Sequence, residues 1–174
     1  DVWDMPEPWP YFADAANAAP VIWSDQGSKS GAGKIWLFWG FPRLIGAPPF
    51  AYMTSEDNGA SWSQVSFPHF AERIGRYVSQ PINSVVRTKD GTILLPTDST
   101  GRDADGNGSV SAVWGTHDDG ETWYDTGGRT AGRHTTLVVG KDGETLLGFG
   151  GKNSEIGGKM PLATSKDGGK TWVK

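Results

Sequence analysis

The chain has 174 residues, no cysteine and a formal net charge of −4 from 16 basic and 20 acidic side chains. This excludes disulfides and thiolate-ligated zinc and leaves no basic stripe to hold nucleic acid. Its 25 glycines, 11 prolines and 9 tryptophans favour tight turns and aromatic anchors over long helices. The longest apolar run, "IWLFW" (35–39), is far short of the ~20 residues a membrane-spanning helix needs, so no membrane partner is expected.

The chain opens at Asp1 with neither methionine nor a basic and apolar leader, so any signal peptide has been removed or the sequence starts downstream of it; a secreted or periplasmic location is the expectation. Residues 1–19 begin with "DVWDMPEPWPYF", a proline-rich stretch that makes a poor strand and no helix. They read as a lead-in, with Trp3 and Trp9 packing by default. A first unit then runs over 20–67. Its apolar stretch "PVIWSD" is followed by the turn "QGSKSGAG", a second stretch "KIWLFWG", a loop, a third stretch "PFAYMTS", the turn "TSEDNGASW" (54–62) and a short "SWSQVSF". Residues 83–127 repeat that order with "NSVVRT", "KDG", "TILLPT", a loop, "VSAVWGT", "GTHDDGETW" (115–123) and "TWYDTGG". Residues 135–174 do so again with "TTLVVG", "KDG", "ETLLGFG", a loop, "KMPLATS", "TSKDGGKTW" (164–172) and "TWVK". Each unit therefore predicts a four-stranded antiparallel meander.

The central aspartates Asp57, Asp118 and Asp167 stand 61 and 49 residues apart. A four-stranded unit repeating at roughly 40–50 residues marks an all-β fold of propeller blades. In each turn the aspartate can accept backbone hydrogen bonds, the glycine can take a positive φ, and the tryptophan can cover the turn.

The pattern is Ser/Thr-x-Asp-x-Gly-x-x-Trp. Ser55-Asp57-Gly59-Trp62, Thr116-Asp118-Gly120-Trp123 and Ser165-Asp167-Gly169-Trp172 all match it. It resembles the Asp-box, or bacterial neuraminidase repeat, of the sialidase-like superfamily. The resemblance implies a six-bladed propeller, of which this chain holds about three blades. The remaining blades are expected from the same longer chain, the favoured reading, or from a second copy. It also implies that the Asp-boxes are structural and lie away from the active site.

In a meander, the turns between strands one and two and between strands three and four share one end of the blade. The loops 40–48, 98–109 and 151–158 and the connectors 68–82 and 127–134 then share the other end, where sites are usually built. These segments are rich in arginine, whose planar fork binds a sugar carboxylate in two bonds. Arg43, Arg76 and Arg133, with Glu155, are the candidate substrate-binding residues, and an acidic glycan is the expected partner.

A sialidase resemblance implies an arginine triad on the substrate carboxylate, an aspartate acid/base, and a tyrosine nucleophile assisted by a glutamate. Asp98, just past "ILLPT", takes the acid/base position. Tyr77 is the tyrosine the connectors offer, although no Tyr-Glu pair is visible and Arg43 in "FPRL" departs from the family's Arg-Ile-Pro motif. Glycoside hydrolysis is the leading expectation. In "GRHTTL", Arg133 beside His134 could instead neutralise a uronate and abstract its C5 proton, which is a lyase reaction. A non-catalytic glycan-binding propeller is the third reading. "DADGNG" (103–108) begins like a calcium loop but has Trp114 where a bidentate acid belongs, so it reads as a glycine-rich hairpin loop. No metal or cofactor is expected. His69, in "FPHF", reads as either catalytic or, the favoured expectation, buried beside Phe67 and Phe70.

Overall fold

The structure, a computed structural model, describes residues 20–27, 33–40, 48–75, 77, 83–99, 110–151 and 158–174. Strands β1 (Val21–Asp25), β2 (Lys34–Trp39) and β3 (Ala51–Ser55) form the first sheet. The second contains β4 (Val86–Arg87), β5 (Ile93–Asp98), β6 (Ser111–Thr116) and β7 (Tyr124–Arg129). The third contains β8 (Thr136–Val139), β9 (Leu146–Phe149) and β10 (Leu162–Ser165). Every pairing between these strands is antiparallel and between chain neighbours, and no helix occurs among the described residues. The fold is all-β, a partial propeller of about three blades.

A fourth strand was expected in each unit, but only the second sheet has one. In the first sheet, Tyr52 and Ser66 exchange backbone bonds of 2.9 and 2.8 Å, and Ser63 N donates to Thr54 O at 2.8 Å. The outer segment thus takes three steps where β3 takes two, a bulge that reduces the ladder to an isolated bridge. In the third sheet, the outer pairing is a bridge between Thr164 and Val173.

Alternation along the strands builds the core between sheets. Trp36, Phe38, Phe50 and Tyr52 of the first unit meet Ile93, Leu95, Ala112, Trp114 and Trp123 of the second. Phe50 and Trp123 cross edge to face at 4.9 Å between ring centroids. The opposite face of the second sheet places Leu94 and Val113 against Leu137 and Leu146, with Trp172 packed alongside. Each such buried side chain contributes about 1.5–3 kcal/mol.

The three Asp-box turns repeat one hydrogen-bond pattern. Ser55 Oγ accepts from Gly59 N and donates to Asp57 Oδ1, both at 2.8 Å. Asp57 in turn accepts from Ser61 N at 2.8 Å and Ser61 Oγ at 2.6 Å. Thr116, Asp118 and Thr122 do the same in the second turn, and Ser165, Asp167 and Thr171 in the third. The hydroxyl two residues past the glycine is a fifth element that the sequence pattern omitted. Two left-handed residues in succession make the bend: Asn58, Asp119 or Gly168, then Gly59, Gly120 or Gly169.

Trp123 Nε1 donates to Gly120 O at 3.2 Å and Trp172 Nε1 to Gly169 O at 2.9 Å, so these rings cover their own turns as expected. The same two carbonyls accept a second bond from the preceding sheet's unit: Tyr52 OH to Gly120 O at 2.7 Å, and Thr126 Oγ1 to Gly169 O at 3.0 Å. Trp62 also lies over its turn, its ring 3.8 Å from where a Cβ on Gly59 would stand, but it is 36% exposed, because no described sheet lies on its outer side.

Candidate functional site

β5 ends at Asp98 and β6 begins at Ser111, directly opposite in the ladder. The connector 130–135 folds over this pair at the end of the sheet away from the Asp-box turns. Asp98 is 1% exposed. Its Oδ1 accepts from His134 N at 2.7 Å, and its Oδ2 accepts from Arg133 Nε at 3.0 Å. His134 Nδ1 stands 3.5 Å from the same Oδ2. Arg133 and His134 keep 26% and 30% of their side-chain surface, so a buried carboxylate holds two cation-forming groups at the rim.

Small hydroxyl residues shape the turn beneath them. Ser111 Oγ lies 3.1 Å from Gly132 O and 3.4 Å from Asp98 Oδ1, and it accepts from Thr135 N at 3.3 Å. Thr135 Oγ1 donates to Gly132 O at 3.1 Å and is 2.7 Å from Thr130 Oγ1. Gly151 N donates to Arg133 O at 2.7 Å, which ties the turn to the end of β9. Gly132 and His134 have φ of 88° and 53°. A left-handed histidine is uncommon, and such strain persists only where its surroundings enforce it. Ser111, Thr130, Gly132 and Thr135 were not singled out from sequence. The available signal was an acid directly after an apolar strand, which requires a buried partner.

The structure therefore brings Asp98, Arg133 and His134 together and does not add Tyr77 to them. Tyr77 packs edge to face on Trp114 at 5.7 Å, and Trp114 Nε1 bonds Thr97 Oγ1 at 2.8 Å. Thr97 and Asp98 are consecutive on β5, so Tyr77 lies on the face opposite the Asp98 cluster. Burial raises its phenol pKa, the wrong direction for an activated nucleophile. Asp98 also sits otherwise than a general acid requires: its oxygens face Arg133 and His134 rather than open space. Arg43, Arg76 and Glu155, together with 103–108, lie outside the described residues.

One other expectation can be placed. His69 is exposed rather than buried: its carbonyl accepts from Trp123 N at 2.8 Å, while Phe70 next to it turns inward onto Trp114. Arg129 is committed to Asp125 in a two-pronged pair at 2.8 Å on each side. Burial opposes ionisation of Asp125, but Arg129 outweighs it and its carboxyl is held below the usual range. Among the described residues no three carboxylate or imidazole groups converge as a metal site would need.

No curated protein matches the sequence. Solved structures do. A Dyadobacter fermentans protein of unknown function matches with a TM-score of 0.59 at 18% identity over 88% of this chain and 48% of that one. NanB with Optactamide matches with a TM-score of 0.50 at 17% identity over 89% of this chain and 24% of that one. The NanB sialidase of Streptococcus pneumoniae with a chlorobenzyl-ammonio ethanesulfonate gives 0.48 at 17% identity over the same shares, 89% and 24%. The chain thus spans about half the length of the first protein and about a quarter of NanB. The BNR repeat-like domain family matches residues 13–174, and the chain belongs to that family, with a β-propeller fold similar to that of NanB.

Proposed function

We propose that this chain is part of a carbohydrate-active, sialidase-like glycoside hydrolase acting on an acidic glycan, with the sugar carboxylate held at the Arg133 end of the propeller. The observation that supports this is the way Arg133 is held. Only its Nε is engaged, on Asp98, and Nη1 and Nη2 form no bond with a described residue. The free edge of that planar fork matches a carboxylate in two parallel bonds. A secreted or periplasmic location, and completion of the ring by further blades of the same longer chain or a second copy, belong to the same proposal. His134 is the imidazole of the cluster, and it keeps part of its surface at the rim.

The test compares full-length protein and Arg133→Lys on fluorogenic sialosides, glucuronides and neutral glycosides. The lysine keeps the charge but loses the fork. Its kcat/KM on the acidic substrate is expected to fall at least about tenfold, about 1.4 kcal/mol, with smaller losses on a neutral one. Equal losses on both would set the assignment aside.

One observation favours a second reading, a uronate lyase. His134 turns Nδ1 toward the buried Asp98 carboxylate, which leaves Nε2 for substrate. With the carboxylate neutralised by Arg133, Nε2 takes the C5 proton, the electron pair forms the C4–C5 double bond, and the C4–O bond breaks toward a leaving oxygen that is then protonated. A product with the ultraviolet absorbance of an unsaturated uronate distinguishes this from hydrolysis. Calorimetric binding without any product identifies a glycan-binding module.

A further inference from the structure

We infer that Asp98 is the positioning residue of this site, fixing Arg133 and His134 through one carboxylate so that the arginine's terminal nitrogens are aimed at a sugar acid before it arrives. The inference rests on the reading of Arg133 as a carboxylate clamp and assigns Asp98 a different role from proton transfer.

The geometry carries it in three steps. Asp98 is 1% exposed and cannot touch substrate. Its oxygens are distributed over one turn: Oδ1 on the His134 amide at 2.7 Å, Oδ2 on Arg133 Nε at 3.0 Å and facing His134 Nδ1 at 3.5 Å. Because guanidinium is a rigid plane, a bond at Nε together with the stem direction sets where both Nη atoms point. The arginine's rotamer freedom is then lost on folding rather than on binding, which is how a preorganised site gains affinity. The left-handed His134 is the backbone counterpart. Its amide turns inward to Asp98 while Arg133 and the imidazole stay at the rim, and Ser111, Thr135 and Gly151 fasten the same turn without touching the guanidinium.

Asp98→Asn keeps the shape but replaces a carboxylate oxygen with an amide that cannot accept from both groups. Calorimetry on the full-length protein would use N-acetylneuraminic acid and glucuronic acid, each against its methyl ester, so that the ligands in each pair differ by the carboxylate charge and one ester methyl. Wild type is expected to prefer the acid at least about tenfold, by the strength of a charge-assisted bidentate pair. D98N is expected to bring the two within about threefold with ester binding unchanged, since it is the aim of the fork that is lost. Ser111→Ala, which loosens the turn but leaves the Arg133 contact, should lower Tm and keep the preference. Should D98N fail to fold, the wild-type Arg133 Nε–H resonance decides: exchange-protected and rigid without ligand is the expected result. Full acid preference in D98N, or a freely averaging Nε–H in wild type, overturns the positioning role. Absence of any acid preference in wild type instead removes the carboxylate-clamp reading beneath it.

Discussion

The carboxylates of the Asp-box turns show how much a small motif can do without being buried. The Ser61 hydroxyl, with its amide and Ser55 behind it, holds Asp57 at a pKa of about 2, and the Thr171 hydroxyl does the same for Asp167. Asp142 in the "KDG" turn is held at about 2 by Thr145. For Asp118, burial opposes ionisation, but the Thr122 hydroxyl and amide outweigh it. Since these folded-state values lie below the ordinary ~3.9, the stability they contribute is complete above that pH. It is lost as pH falls toward about 2. Carboxyl-carbon NMR should find titration midpoints near 2 for Asp57, Asp142 and Asp167 and a lowered one for Asp118, and values near 4 for the first three would contradict the bonding. Asp118→Ala should cost about 1–3 kcal/mol in chemical denaturation, with glycan affinity unchanged in the protein that remains folded. Tyr124 has the opposite sign. Burial, then Asp90, raises its pKa to about 12, so its contribution is lost as pH rises above ~10, which ultraviolet titration of the phenol would follow.

Between elements, the sheets are joined by apolar faces and by a few polar bonds at defined points. Arg87 at the end of β4 reaches Asp25 at the end of β1 through Nε at 2.9 Å and Nη2 at 2.5 Å, and Asp119 at 2.7 Å. Burial disfavours the Arg87 charge, but Asp25 and Asp119 together outweigh it and the guanidinium pKa is raised. Arg87→Ala would leave the buried Asp25 without its partner and should cost about 3–5 kcal/mol. The Asp25→Asn, Arg87→Met double variant should lose clearly less in the same denaturant titration, and equal losses would show that the charge pairing is not the cause. The interface between the second and third sheets is tighter still. A Cβ on Gly128 would stand 1.9 Å from Gly169 O and 2.8 Å from the Trp172 ring. Gly128→Ala must push the third Asp-box away, an overpacking cost of about 1–3 kcal/mol or more, visible as a lowered Tm and a shifted Trp172 fluorescence.

At the scale of the molecule, among the described residues the two interior interfaces are closed and the two outer faces keep exposed apolar side chains. Ile22 is 69% exposed on the first sheet; Val138 and Leu162 are 42% and 46% exposed on the third, with Val173 at 76% beside them. Units that bury their apolar faces only against neighbours leave uncapped ends adhesive. A polypeptide of residues 1–174 alone should therefore associate as its concentration rises, and Val138→Lys with Leu162→Lys should reduce that association. Light scattering after gel filtration measures it, and a monomer for the unaltered polypeptide at all concentrations would contradict it.

Much of the architecture was legible in the amino-acid order, because its determinants are local. Strand alternation has a period of two residues, and the Asp-box closes its bonds within the span from Ser55 to Trp62. Three copies of each therefore announce an all-β repeat fold, and strand parity separates the structural end from the Arg133 end. What depended on stacking was not legible. Asp98 meets Arg133 across 35 positions, Tyr52 meets Gly120 across 68, and Tyr77 is drawn into the core by Trp114. Asp98 marks the boundary between the two kinds of information. Its place at the end of β5 followed from the apolar run before it. Its burial beneath a left-handed His134, with its oxygens on Arg133 and the His134 amide, was decided only when the connector 130–135 folded across two paired strands.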